Sequence, residues 1–183
     1  RFDTEAGRAQ MVAFARAMQH AYAQLESSPL VSIAEIGGAA MGGGLELALA
    51  CDFRVAGHTA KLGLPEARLG LLPGGGGTQR LTRLCGEATA KRLILGAEVV
   101  DGTQAERLGI VHWAVPRDQL AARAKQLAQD LAALPPESLA ACKRCIAAAG
   151  GEEGYELELE ATGMLLASAE TQSRVRAFLE KRR

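Results

Sequence analysis

Between Thr4 and Glu26 the apolar residues Met11, Phe14, Met18, Tyr22 and Leu25 recur at steps of three and four, which predicts an amphipathic helix that ends at "SSPL". "VSIAEI" (Val31 to Ile36) then reads as a short strand, broken by Gly37 and Gly38. The following "LELALA" is too rich in leucine and alanine for a strand and suits a buried helix, so Gly42 to Gly44 mark a strand-to-helix junction. "DFRVA" (Asp52 to Ala56) and "AKLGL" (Ala60 to Leu64) predict two further strands, and Pro65 stops the second. Gly74 to Gly77 open a helix at "TQRLTRL", followed by a helix near Ala88 to Leu95, a capped helix at "DGTQAERLG" and a strand at Ile110 to Val115. Beyond Pro116 only alanine-rich helical patterns remain: Gln119 to Ala133, Glu137 to Ala148, Tyr155 to Ser168 and Thr171 to Arg183. The pattern therefore divides the chain into an α/β part, residues 1–116, and a helical part, residues 117–183.

Composition narrows the class of protein. With 183 residues and 48% hydrophobic content the chain is long enough for one sizeable core. Its 21 Lys and Arg balance 21 Asp and Glu, so net charge supplies no long-range attraction to nucleic acid or to an anionic membrane. Charges such as Glu35, Glu46 and Arg54 interrupt the apolar segments before any reaches the length of a membrane span. No signal-peptide pattern is present, and Cys51, Cys85, Cys142 and Cys145 lie in apolar or helical surroundings, which points to a reducing, cytoplasmic setting. Cys142 and Cys145 form a lone CxxC without the second pair a zinc ribbon needs, and His20, His58 and His112 fall in no ligand spacing. No metal site is expected.

The chemistry concentrates at "GGAAMGGGLELALACD" (Gly37 to Asp52). Consecutive glycines at a helix entry let a ligand approach the main chain, and the first helix amides lack internal acceptors, which together make an anion or oxyanion receptor. A Walker loop needs Lys then Ser or Thr after its last glycine, but Leu45 and Glu46 stand there, and the spacing is not that of a dinucleotide fingerprint. A neutral carbonyl that becomes an oxyanion in the transition state fits better, with Glu46 placed for proton transfer. The ordinary explanation of Glu46 is a first-turn carboxylate favoured by the helix dipole, worth about 0.3–1 kcal/mol. A second carboxylate, Glu66, beside a second glycine run in "LGLPEARLGLLPGGGG" argues for more than that.

The segments "IGGAAMGGGLELALACDFRVAG", "LGLPEARLGLLPGGGGTQRLTRLCG" and "AFLEKR" together resemble the enoyl-CoA hydratase/isomerase (crotonase) superfamily over nearly the whole chain. The resemblance implies a spiral of strand-strand-helix turns, residues 1–116, lacking its first strands, and a helical unit, residues 117–183, that builds homotrimers often paired into hexamers. It implies an acyl-CoA substrate, no separate cofactor, and hydration of a trans-2-enoyl-CoA. Gly43 matches the oxyanion-hole amide, Glu46 and Glu66 the acid-base pair, and Gly74 the amide that orients the second glutamate. Phe178 and Lys181 match residues that reach the CoA of a neighbouring subunit, against the ordinary explanation of an amphipathic terminal helix with a basic tail; the preceding "ETQSRV" departs from the family's usual acidic-glycine pair.

Three alternatives remain at this stage: an isomerase, a methylglutaconyl-CoA-type hydratase, and a shortened, non-catalytic subunit or scaffold. The last follows from the start of the chain, where the family's second oxyanion amide and its adenine-contacting segment have no counterpart before Thr4; loss of one such donor costs on the order of a hundredfold in rate. RNA-binding relatives present a lysine-rich helical face, whereas the first helix here carries only Arg1, Arg8 and Arg16.

Overall fold

Two parallel strand pairings set the frame of the computed structural model, which describes residues 3–181. Strand β1 (Ile33–Ile36) pairs with β3 (Phe53–Gly57), Ile33 opposite Phe53, and β2 (Ala39–Met41) pairs with β4 (Lys61–Gly63), Ala39 opposite Lys61. β6 (Trp113–Val115) adds to β3 in parallel, while β5 (Val99–Asp101) adds to β4 antiparallel. Gly37 and Gly38 carry the chain from the first sheet to the second, and the turn after β3 does the same one layer on. Each turn thus places one strand in each sheet and then a helix: β1, β2, α2 (Gly43–Ala50), then β3, β4, α3 (Gly77–Ile94). This is the expected spiral.

Leu45, Leu49, Leu62, Leu64, Leu81 and Leu93 fill the space between these layers and are all at least 97% shielded from solvent. Three charged residues, Glu46, Arg54 and Arg80, are buried as well. Arg54 on β3 donates from Nε to the Ile110 carbonyl at 2.7 Å and from Nη1 to the Cys51 carbonyl at 2.7 Å, tying the end of α2 to the approach to β6. Burial pulls its pKa down, opposed by the neighbouring Cys85, Cys51 and Asp52.

Among the described residues the chain forms two compact units, one of 3–26 and Ser32–Ala128, the other of Ser27–Val31 and 129–181. Residues 117–128 fall in the first of these units. Helix α5 (Leu120–Ala132) explains this: Leu120, Ala124 and Leu127 are buried, so most of the helix belongs to the first unit. The second unit contains α6 (Pro136–Ala147), α7 (Glu152–Ala167) and α8 (Ala169–Glu180). No helix among the described residues is long and apolar enough to cross a membrane, and none of their His, Cys, Asp and Glu side chains gather into a metal-binding group.

The helices follow the sequence pattern closely, with α1 at Glu5–Ser27 and α4 at Gly102–Arg107. The two helices read separately around Gly86 are both present within α3, and they meet at a kink where Gly86 takes φ 79° and ψ 162°. β2 and β5 were not foreseen: the residues of neither, Ala-Ala-Met and Val-Val-Asp, alternate between apolar and polar. The α4 cap is reciprocal, with the Gln104 amide donating to Asp101 Oδ1 at 2.8 Å and the Asp101 amide donating to Gln104 Oε1 at 3.3 Å. Asp101→Ala is expected to lower unfolding free energy by about 1 kcal/mol in urea denaturation, with the m-value unchanged.

Candidate active site

The glycine run at 42–44 bends because Gly42 takes φ 54°, a left-handed conformation that favours glycine. The Gly42 amide is already used, donating to the Gly63 carbonyl of β4 at 3.0 Å. Gly43 follows as the first residue of α2, where an amide has no carbonyl one turn back to bond. Glu46 lies on the same first turn and is 2% exposed. A carboxylate so deeply placed needs a partner.

Its partner comes from the second glycine run. Helix α3 begins at Gly77, and Gly76, at φ 105°, turns the chain so that the Gly77 amide donates to Glu46 Oε1 at 2.7 Å. Close approach requires the absence of side chains. A Cβ at Gly75 would lie 2.7 Å from Glu46 Oε2, and one at Gly77 would lie 2.9 Å from Glu46 Oε1, Leu64 Cδ1 and Pro73 Cβ. These two glycines form the floor against which the carboxylate rests.

Glu66 enters from the other side, at the start of a 3-10 turn (Glu66–Leu69) set by Pro65 after β4. A Cβ at Gly42 would sit 3.1 Å from Glu66 Oε1, so this carboxyl group lies over the loop that carries Gly43. Its Oε2 is buried without a hydrogen-bond partner. Burial pushes the Glu66 pKa up, its own backbone hydrogen bond opposes that, and the charge of Glu46 adds to the rise. The structure therefore brings Gly43, Glu46 and Glu66 together around one loop.

Other expected residues are placed differently. Gly74 precedes the turn, and its carbonyl accepts from Gln19 Nε2 at 2.7 Å. The Gly77 amide of this run reaches a carboxylate, and that carboxylate is Glu46. The reason is positional: at Gly77 the chain enters the helix, where an amide has no carbonyl one turn back to bond. Phe178 and Lys181 lie in the second unit, at and just beyond the end of α8, with Phe178 58% exposed; Arg182 of the same motif and Arg1 lie outside the described residues.

Sequence reasoning missed what α1 brings to the first unit. Tyr22 donates from its hydroxyl to the Gly43 carbonyl at 3.3 Å, and Met18 and Tyr22 stand against Gly75. Burial raises the Tyr22 pKa, and the charge of Glu46 raises it further. Helical periodicity marked Met18 and Tyr22 only as core-facing positions, with no signal of what they face.

With this geometry defined, the comparisons with known proteins give the class. The enoyl-CoA hydratase/isomerase family model matches residues 3–183, and the chain belongs to that family. An enoyl-CoA isomerase/hydratase of Mycosarcoma maydis is 38% identical over 183 residues, covering 98% of this chain and 67% of that protein. The mitochondrial methylglutaconyl-CoA hydratase of Rattus norvegicus is 45% identical over 145 residues, 77% of this chain and 44% of its own length. Among solved structures, Pseudomonas aeruginosa DspI superposes with a TM-score of 0.89 at 41% identity over 97% of this chain and 68% of its own. An enoyl-CoA hydratase from Bacillus anthracis does so with 0.89 at 34% identity, over 97% of this chain and 69% of its own. The chain thus spans from less than half to about two thirds of the length of these proteins.

The raised pKa of Glu66 has a consequence for stability. The folded protein holds this proton more tightly than the unfolded chain, so Glu66 favours folding in acid and opposes it as pH rises from its ordinary value of 4.5 through the higher folded value. Glu66→Gln removes the penalty. The variant is expected to be more stable than the parent at pH 7, with the gap closing below pH 4.5, as read by denaturant unfolding across pH; a gap independent of pH contradicts the assignment.

Proposed function

We propose that the protein is an enoyl-CoA hydratase that adds water across the double bond of a trans-2-enoyl-CoA. What carries the reading is the convergence of Glu46 and Glu66 on the loop of Gly43, with the two carboxyls in unlike environments. Hydration needs an acid and a base at once, and two nearby carboxyls serve only when their proton affinities are driven apart.

Roles follow from those environments. Glu66, pushed toward its protonated form by burial and by Glu46, is the acid. Glu46, held by the Gly77 amide through Oε1, presents Oε2 to water as the base. Water loses a proton to Glu46 while its oxygen bonds to the β-carbon; the π pair moves toward the thioester, whose oxygen gains charge beside the Gly43 amide. The α-carbon then takes the proton of Glu66. Glu46 ends with the proton from water, Glu66 ends ionised, and exchange between the pair or with solvent resets them. Preorganised amides in a site shielded from water stabilise such an oxyanion by several kcal/mol.

Several relatives carry hydratase names, which supports hydration over isomerisation alone, as does the presence of both carboxylates. The same reading assigns α7 and α8 to assembly of a homotrimer or hexamer, where the exposed Tyr155, Leu159, Met164, Leu166 and Leu179 are sheltered.

The test is hydration of crotonyl-CoA, followed by loss of the enoyl-thioester absorbance. Glu46→Gln and Glu66→Gln are each expected to lower kcat by about 10²–10⁴-fold with the fold retained. The parent pH profile is expected to fall on its basic side above the ordinary carboxylate range, and that limb is expected to vanish in Glu66→Gln. Double-bond migration in a 3-enoyl-CoA without any water addition to crotonyl-CoA contradicts the reading.

A further inference from the structure

Glu46 depends on the Gly77 amide, and that amide depends on the path of the chain through Gly75 and Gly76. What fixes the path is a buried arginine. Arg80, one turn into α3 and with a side chain 8% exposed, folds back over the loop: Nη1 donates to the Gly75 carbonyl at 2.8 Å and Nη2 to Glu26 Oε2 at 2.7 Å. The arginine head fills the space above Gly76, where a Cβ would lie 3.3 Å from Cζ. Glu26 closes α1, and Arg83 approaches its other oxygen at 2.9 Å from the exposed side, 66% accessible.

We propose that the Glu26–Arg80 ion pair is a positioning device for Glu46, acting through the Gly75 carbonyl to hold the Gly77 amide on the carboxylate. The inference rests on the hydratase reading for its kinetic meaning, while its structural content stands apart from that reading.

Three observations support it. A pair serving stability alone needs only its two side chains, yet Arg80 spends one arm on main chain, two residues before the amide that binds Glu46. That arrangement leaves Arg80 Nε buried and unpartnered, a cost accepted at a site where geometry matters more than energy. Third, α1 reaches both glycine runs from one face: Gln19 donates to the Gly74 carbonyl, Tyr22 to the Gly43 carbonyl, and Glu26 receives Arg80. Positions 19, 22 and 26 follow the three- and four-residue steps that align side chains along a helix. The helix therefore braces both loops at once.

The test compares Arg80→Met, Arg80→Lys, Glu26→Gln and Arg83→Met in crotonyl-CoA hydration and in hydrogen exchange of the Gly77 amide by NMR. Arg80→Met is expected to lower kcat by about thirtyfold with KM within about twofold, because a carboxylate displaced by a fraction of an ångström still allows binding but not proton transfer. Its Gly77 amide is expected to exchange at least about tenfold faster. Arg80→Lys, which cannot span Gly75 and Glu26 with one fork, is expected to recover only part of kcat, and Glu26→Gln to fall between parent and Arg80→Met. Arg83→Met, which removes a charge from the same glutamate without touching the loop, is expected to change neither readout. Should Arg80→Met fail to fold, Arg80→Lys and Glu26→Gln decide: parent kcat and parent Gly77 exchange in both overturn the proposal. So does a loss expressed in KM alone, or an equal loss in Arg83→Met. Absence of hydration by the parent protein defeats the hydratase reading, and in that case the Gly77 exchange rates of the same variants still support or overturn the positioning role.

Discussion

One hydrogen bond organises the first unit: the Gly77 amide donating to Glu46 Oε1 at 2.7 Å. It joins the start of α3 to the first turn of α2, two helices that follow successive turns of the spiral. Each partner needs the other. A carboxylate 2% exposed is expensive to leave unpaired, and a helix-entry amide facing the interior is likewise costly without an acceptor. The bond also requires bare backbone beneath it, since a Cβ at Gly75 or Gly77 would lie within 3 Å of a Glu46 oxygen.

The sheets place the remaining chemistry. Because β1 and β2 are separated only by Gly37 and Gly38, the chain steps from one sheet to the next and arrives at Gly42 already bonded to β4 through Gly63. β4 leads within a few residues to Pro65 and Glu66, which brings the second carboxyl over Gly42. Two carboxyls twenty positions apart in sequence thus meet because consecutive turns of one spiral stack in register. The two stand in unlike settings, one held by a main-chain donor and the other buried with an unpartnered oxygen.

Much of this was legible before any coordinates. The glycine runs, Glu46 beside the first of them and Glu66 before the second are local in sequence, and their meaning follows from what helix entries and bare backbone do. The helices were legible for the same reason, their periodicity extending over several turns. What stayed hidden depends on register in space. Which glycine of 74–77 meets Glu46 is decided by where α3 begins and by the left-handed Gly76. Arg80 and Glu26 drew no sequence reading as a pair because fifty-four positions separate them, and only the packing of α1 against the second glycine run brings them together. β2 and β5 escaped because the residues of neither alternate between apolar and polar.

The most direct measurement is an experimental structure of the protein with an unreactive enoyl-CoA analogue. The thioester oxygen is expected within about 2.7–3.1 Å of the Gly43 amide nitrogen, with the bond between the α- and β-carbons lying between the Glu46 and Glu66 carboxyls. An acyl group bound away from that loop, or with both carboxyls on the same side of the bond, contradicts the proposed chemistry.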